Sequence, residues 1–170
     1  MITSLTNEKI KEYAKLNQAK YREEKQMFIV EGPHLVEEAS KLGLLVEVIT
    51  TDPNIEGTLV NDNVMKKLSN TVHPVKVLGI CKMGVKHEIT SRILVLDTIS
   101  DPTNLGTLFR SAVAFGFETI FLSNGCVDCY NDKVIRGSQG AILKIPVVYA
   151  NMVDVVNTLK ENNVDVFAST

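Results

Sequence analysis

One arginine, placed just after a strand and a polar turn, is the strongest chemical signal in this chain. The segment DPTNLGTLFRSAVAFG, Asp101 to Gly116, follows the short apolar run Ile93 to Leu96, whose composition suits a buried parallel strand. Asp101 and Pro102 end that run. Thr103 or Asn104 can cap a helix whose apolar residues, Leu105, Leu108, Phe109, Ala112 and Val113, recur on one face, and Gly116 supplies the stop. Thr103, Gly106, Thr107, Arg110 and Ala114 share the other face. Helical side chains lean toward the N-terminus, so the guanidinium of Arg110 is directed back to the turn. There, free backbone N–H groups and the helix dipole favour an anion. Gly106 would let a ligand come close. On an isolated surface helix the same arginine would only be solvated; the preceding strand makes it a candidate.

The elements that must position this arginine fall into two units. In the first, Ile10, Tyr13, Ala14 and Tyr21 mark the apolar side of a helix, while Lys11, Lys15, Arg22 and Lys25 recur along another side as a ridge that could track phosphates. An ordinary amphipathic helix would show the same solvated face. MFIVEG then reads as a strand ending at Glu31 and Gly32, HLVEEASKLGL as a helix and LVEVITT as a strand, a βαβ unit. NDNVMKKLSN is a further helix and PVKVLGIC a third strand. The polar KHEITS places the boundary near His87, giving units 1–87 and 88–170. The second unit continues from Gly116 as a strand (TIFLS), a loop and a short helix from Asn131 and Asp132. An Ile142 to Tyr149 strand, the helix MVDVVNTLKENN and a last strand, VDVFAST, complete a Rossmann-like half-sheet. Arg136 and Ser138 would face the region of Arg110 if that short helix forms; otherwise they are a surface charge and a turn hydroxyl.

Composition narrows the class. The chain has 170 residues, 45% of them hydrophobic, with no apolar run long enough to span a membrane. MITSLTNEKIKEY lacks the apolar core of a secretory signal, so a cytoplasmic protein is expected. Cys81, Cys126 and Cys129 are an odd number of thiols, expected to be reduced. The Cys126–Cys129 C-x-x-C could be a redox pair or half a zinc site helped by Cys81, His34, His73 or His87. Without a second such pair the expectation is a loop and no metal. The net charge of −2 is unlike a strongly basic nucleic-acid binder, yet residues 1 to 26 carry six basic against four acidic side chains.

DPTNLGTLFRSAVAFG resembles the first signature motif of the SpoU (TrmH-like) RNA ribose 2′-O-methyltransferases of the knotted SPOUT superfamily, DPxNxGxxxRxAxAFG, at every fixed position. NDKVIRGSQGAILKIPVV is similar to the family's following segment, and Ile2 through KYREEKQMFIVEGPHLVEEA to its small substrate-binding domain. The resemblance implies an α/β fold: a small N-terminal α/β RNA-binding-like domain, then the first, Rossmann-like half of a SPOUT (α/β knot) methyltransferase domain. It also implies S-adenosyl-L-methionine as cofactor, RNA (rRNA expected) as partner, no membrane partner, and a homodimer formed through the C-terminal region. The family's glycine-rich loop and Ser-Leu-Asn run would lie beyond Thr170. The chain is therefore expected to be a fragment of the methyltransferase, inactive on its own, with its cofactor-binding residues outside the present sequence.

By the same resemblance Arg110 is the catalytic arginine, Asn104 orients it or the substrate, and Glu31, Gly106, Arg136 and Ser138 join Lys11, Lys15, Arg22 and Lys25 in substrate binding. Glu31 could equally cap nearby backbone, and Asn104 could cap its helix. Because a guanidinium stays protonated, Arg110 is read as clamping a phosphate, aiming the ribose and stabilising a developing alkoxide, not as a literal base. Two other functions compete. A non-catalytic RNA-binding module would bind RNA in a salt-dependent way without binding the cofactor. A generic nucleotide-binding Rossmann enzyme is disfavoured because neither G-x-G-x-x-G nor G-x-x-x-x-G-K-[ST] occurs.

Overall fold

The computed structural model describes residues 1–71, 73, 75–84 and 91–168; the expected boundary near His87 lies outside the described residues. Strict alternation along the strands builds the first layer. In β1 (Met27–Glu31), Phe28 and Val30 point to one side and Ile29 to the other; in β4 (Val77–Lys82), Val77 and Cys81 oppose Leu78 and Ile80. Such strands need cover on both faces. Helices α1 (Glu8–Lys15) and α4 (Asp62–Leu68) cover one through Ile10, Val64, Met65 and Leu68, and α3 (Pro33–Lys41) covers the other through Leu35, Val36 and Ala39.

The sheet order is β1-β4-β2-β3, with β2 at Leu45–Thr50 and the short β3 at Thr58–Leu59. Both β1 and β2 run antiparallel to β4, which lies between them. The expected βαβ unit is thus split: its strands are parallel but not neighbours. β3, absent from the sequence reading, is only two residues long and pairs parallel to β2.

The second layer is a parallel sheet, β5-β6-β7, formed by Ile93–Leu96, Thr119–Leu122 and Val147–Tyr149. Ile120 and Leu122 face α5 (Pro102–Ala114), α6 (Asp132–Ser138) and a 3₁₀ turn at Ala141–Leu143, while Phe121 packs with Val155 and Leu159 of α7 (Met152–Glu161). The chain is therefore mixed α/β, as expected.

Three local expectations fail. The single N-terminal helix is two, α1 and α2 (Ala19–Lys25), because Gln18 is extended at ψ 134°. The strand expected from Ile142 begins only at Val147: Gly140 turns with φ +89°, and Ile142, Leu143 and Ile145 drive into the core instead. Residues 164–168 form no strand, since their backbone finds no sheet partner among the described residues; Phe167 is 91% exposed.

Candidate functional site

Strand β5 ends in a loop, Asp97 to Ser100, that leads straight into α5. Thr98 sits at φ +55°, a left-handed conformation that is costly for a β-branched residue and so needs surrounding support. That support is specific. The Thr98 amide donates to Ser123 Oγ at 2.9 Å, the Ile99 amide to Cys126 Sγ at 3.3 Å, and the Val127 amide to the Ile99 carbonyl at 2.9 Å. Thr98, Ile99, Ser100, Asp101, Asn104, Thr107 and Leu108 then line an open cleft of about 430 Å³. Thr98, Ser100, Asp101, Asn104 and Thr107 bring hydroxyl, carboxylate and amide groups to a lining whose surface is otherwise largely apolar.

The helix cap is Asp101, not Thr103 or Asn104: its carboxylate accepts from the Asn104 amide at 2.8 Å, and Pro102 occupies the first helical position. This releases the side chain of Asn104 into the cleft lining. Arg110 lies outside that lining, one helical turn beyond Thr107. It is exposed, and among the described residues its side chain makes no hydrogen bond or ion pair. Gly116 closes the helix as expected, with φ +75°.

Gly106 does not face a ligand. A Cβ there would lie 2.9 Å from Gly137 C, Ser138 N and Val134 O, so the missing side chain lets α5 and α6 cross backbone to backbone. Ser138 is correspondingly buried at 1% exposure, and its hydroxyl donates to Ile135 O at 2.8 Å, which removes it from the substrate side. Arg136 stays half-exposed, with Nη1 2.7 Å from Asp132 Oδ2 one turn earlier.

The expected basic ridge is also redistributed. Arg22 is 6% exposed and cannot track phosphates: it donates to Leu16 O at 2.8 Å and forms an ion pair with Asp128. A half-bonded guanidinium in a dry setting is costly, so it turns inward only where partners meet it. Lys11 pairs with Glu8 at 2.8 Å and Lys25 with Glu12 at 3.7 Å. Lys15 is exposed, and its ammonium lies 5.5 Å from the Tyr21 ring centroid; Lys20, which the spacing argument passed over, lies 5.9 Å from the same ring. Glu31 ties β1 to the turn after α4. Its carboxylate accepts from the Asn70 amide at 2.8 Å and from the hydroxyls of Ser69 and Thr71, which is the capping arrangement.

Among the described residues no three His, Cys, Asp or Glu side chains converge as a metal would require. Cys81 sits in β4, and burial pushes its thiol and that of Cys129 up to about 12. Thiolate is therefore scarce at both below that pH. A thiol reagent at pH 8 is expected to label only Cys126 in the folded chain and all three cysteines after denaturation. Mass spectrometry counts the labels, and a second native label would contradict this packing.

A parallel sheet whose strand feeds a capped helix beside an open cleft makes this an α/β protein with its opening at the carboxyl end of a strand, where such sheets bind ligands. The comparisons make that class specific. The model described as the SpoU rRNA Methylase family matches residues 91–170, and that of the MRM3-like substrate binding domain matches residues 7–79. The chain is 33% identical over 179 residues to the 23S rRNA (guanosine(2553)-2′-O)-methyltransferase RlmP of Bacillus subtilis, covering 99% of this chain and 72% of that protein. It is 29% identical over 151 residues to the mitochondrial rRNA methyltransferase 3 of Mus musculus, covering 75% of this chain but only 36% of that protein. Among solved structures, the AdoMet-bound rRNA methyltransferase from Sinorhizobium meliloti superposes with a TM-score of 0.78 at 28% identity, over 94% of this chain and 67% of that one. This chain belongs to the SpoU rRNA methylase family.

Proposed function

We infer that this protein acts in the S-adenosylmethionine-dependent 2′-O-methylation of ribose in rRNA. The observation that carries the reading is Arg110: exposed, unpaired among the described residues, and held at its place in DPTNLGTLFRSAVAFG on the helix that borders a hydroxyl-rich cleft. The cofactor, when bound, supplies an electrophilic methyl group on sulfonium. The chain's part is to deliver the oxygen. Arg110 holds a phosphate and hydrogen-bonds the ribose oxygen as its charge develops, while Asn104 orients the sugar from within the cleft. The cleft lining suits a ribose, and no residue here is assigned to the cofactor.

Division into a substrate-binding unit, 1–87, and the N-terminal part of a methyltransferase unit, 88–170, belongs to the same reading; the matched ranges 7–79 and 91–170 support it. Within the first unit Lys15, Lys20 and Tyr21 are the RNA-facing group, with Lys11 and Lys25 beside them. A homodimer and a cytoplasmic location complete the proposal. Among the described residues no helix is long and apolar enough to cross a membrane.

The test is transfer of labelled methyl from S-adenosylmethionine to purified rRNA by the protein that also carries the glycine-rich and Ser-Leu-Asn segments the resemblance implies, mapped by resistance of the modified ribose to alkaline cleavage. Label at a single 2′ position is expected. Salt-dependent RNA binding with no transfer would replace this reading with a non-catalytic RNA-binding module.

A further inference from the structure

The loop that leaves β6, Ser123 to Tyr130, makes directed polar contacts in two directions. Toward the cleft, Ser123 and Cys126 accept the amides of Thr98 and Ile99, and Val127 bonds the Ile99 carbonyl. Toward the N-terminal sheet, Asp128 pairs with Arg22 of α2, the Tyr130 ring lies 4.7 Å from that of Phe28 in β1, and the Tyr130 hydroxyl accepts from the Gly84 amide at 3.2 Å. Between these ends the loop is braced. The Tyr149 hydroxyl accepts from the Cys129 amide and donates to the Val127 carbonyl, both at 2.9 Å, and Asp128 accepts from the Tyr130 amide at 2.9 Å. A connector this fully bonded transmits displacement instead of absorbing it.

We propose that Ser123–Tyr130 is a strap linking α2 to the cleft, with Asp128 and Cys126 as positioning residues for methyl transfer, Asp128 acting through Arg22 and Cys126 through Ile99. What α2 presents to RNA rests on the function proposed above; the mechanical link does not. The strained Thr98 gives the strap something to hold. Slackening either end lets that backbone fall back toward the extended region and moves Asp101, and with it the start of α5.

The test measures hydrogen exchange on the chain, and turnover on the protein that also carries the cofactor-binding segments the resemblance implies, each with Asp128→Asn or Cys126→Ala. Exchange at the Thr98 and Ile99 amides is expected to rise about tenfold or more in both variants, while the β6 amides of Ile120 and Leu122 change less than about twofold. In the methyl-transfer assay kcat falls about tenfold and KM for rRNA stays within about twofold, the split expected of misplaced groups and not of lost binding. Unchanged exchange at Thr98 and Ile99 in Asp128→Asn overturns the strap. So does acceleration shared equally by β6, which would be ordinary destabilisation. If Asp128→Asn does not fold, the pair Arg22→Met/Asp128→Leu removes the buried Arg22 charge together with its half-buried partner and is judged by the same contrast. Failure of the functional reading is separate and shows in the unsubstituted protein with those segments present, as an absence of methyl transfer, whether or not rRNA still binds.

Discussion

Replacing Arg110 by alanine, in the protein that also carries the cofactor-binding segments the resemblance implies, is expected to lower methyl transfer by about a hundredfold to a thousandfold, the range for removing one donor aimed at developing oxyanion charge. Stability should hardly move, within about 0.5 kcal/mol, because the side chain is exposed and bonds nothing among the described residues. Affinity for rRNA should weaken modestly, with the salt slope falling by about one unit if a single phosphate contact is lost. Arg110→Lys should recover only part of the rate, since an ammonium keeps the charge but loses the planar fork that can hold phosphate and ribose oxygen together. Single-turnover rates and thermal melts on the same preparations check all of this. Retained turnover in the alanine variant would remove the assigned role.

Gly106→Ala is expected to damage the crossing of α5 and α6 despite being a conservative change. Three backbone atoms of α6 stand 2.9 Å from where the methyl would be, and backbone cannot rotate away as a side chain could. Overpacking of this kind costs about 1–3 kcal/mol, while alanine regains at most about 1 kcal/mol of helix preference. A net loss of about 1–2 kcal/mol corresponds to a fall of roughly 2–8 °C in Tm for a chain of this size. Gly137→Ala is the internal control. Its methyl would meet Gly106 Cα at 3.6 Å and Thr103 O at 3.8 Å, ordinary contact distances, so it should be neutral or slightly stabilising. Equal effects of the two substitutions in calorimetry would refute the close crossing.

Much of this arrangement was legible from residue order because the relevant signals are local. The strand at Ile93, the helix through Phe109 and the Gly116 stop each follow from a few neighbouring residues. What the sequence hides is long-range. Arg22 has the spacing of its neighbouring lysines, and its inward turn depends on Asp128, 106 positions away, together with the Leu16 carbonyl. Gly106 looks like space left for a ligand until α6 is seen to fill it. Ser123 and Cys126 carry no pattern of their own and acquire meaning only because the Thr98–Ile99 backbone comes to rest on them. The cap at Asp101 was within reach: an aspartate before proline at the head of a helix outranks the threonine and asparagine that follow it.

Phe28, Val30 and Val77 of the antiparallel sheet lie in the same apolar cluster as Leu96, Phe109, Ile120 and Leu122 around the parallel one. Neither sheet can melt without wetting residues that belong to the other. The two halves therefore share a single cooperative transition, and an injury at the helix crossing is felt as far away as the first strand of the chain.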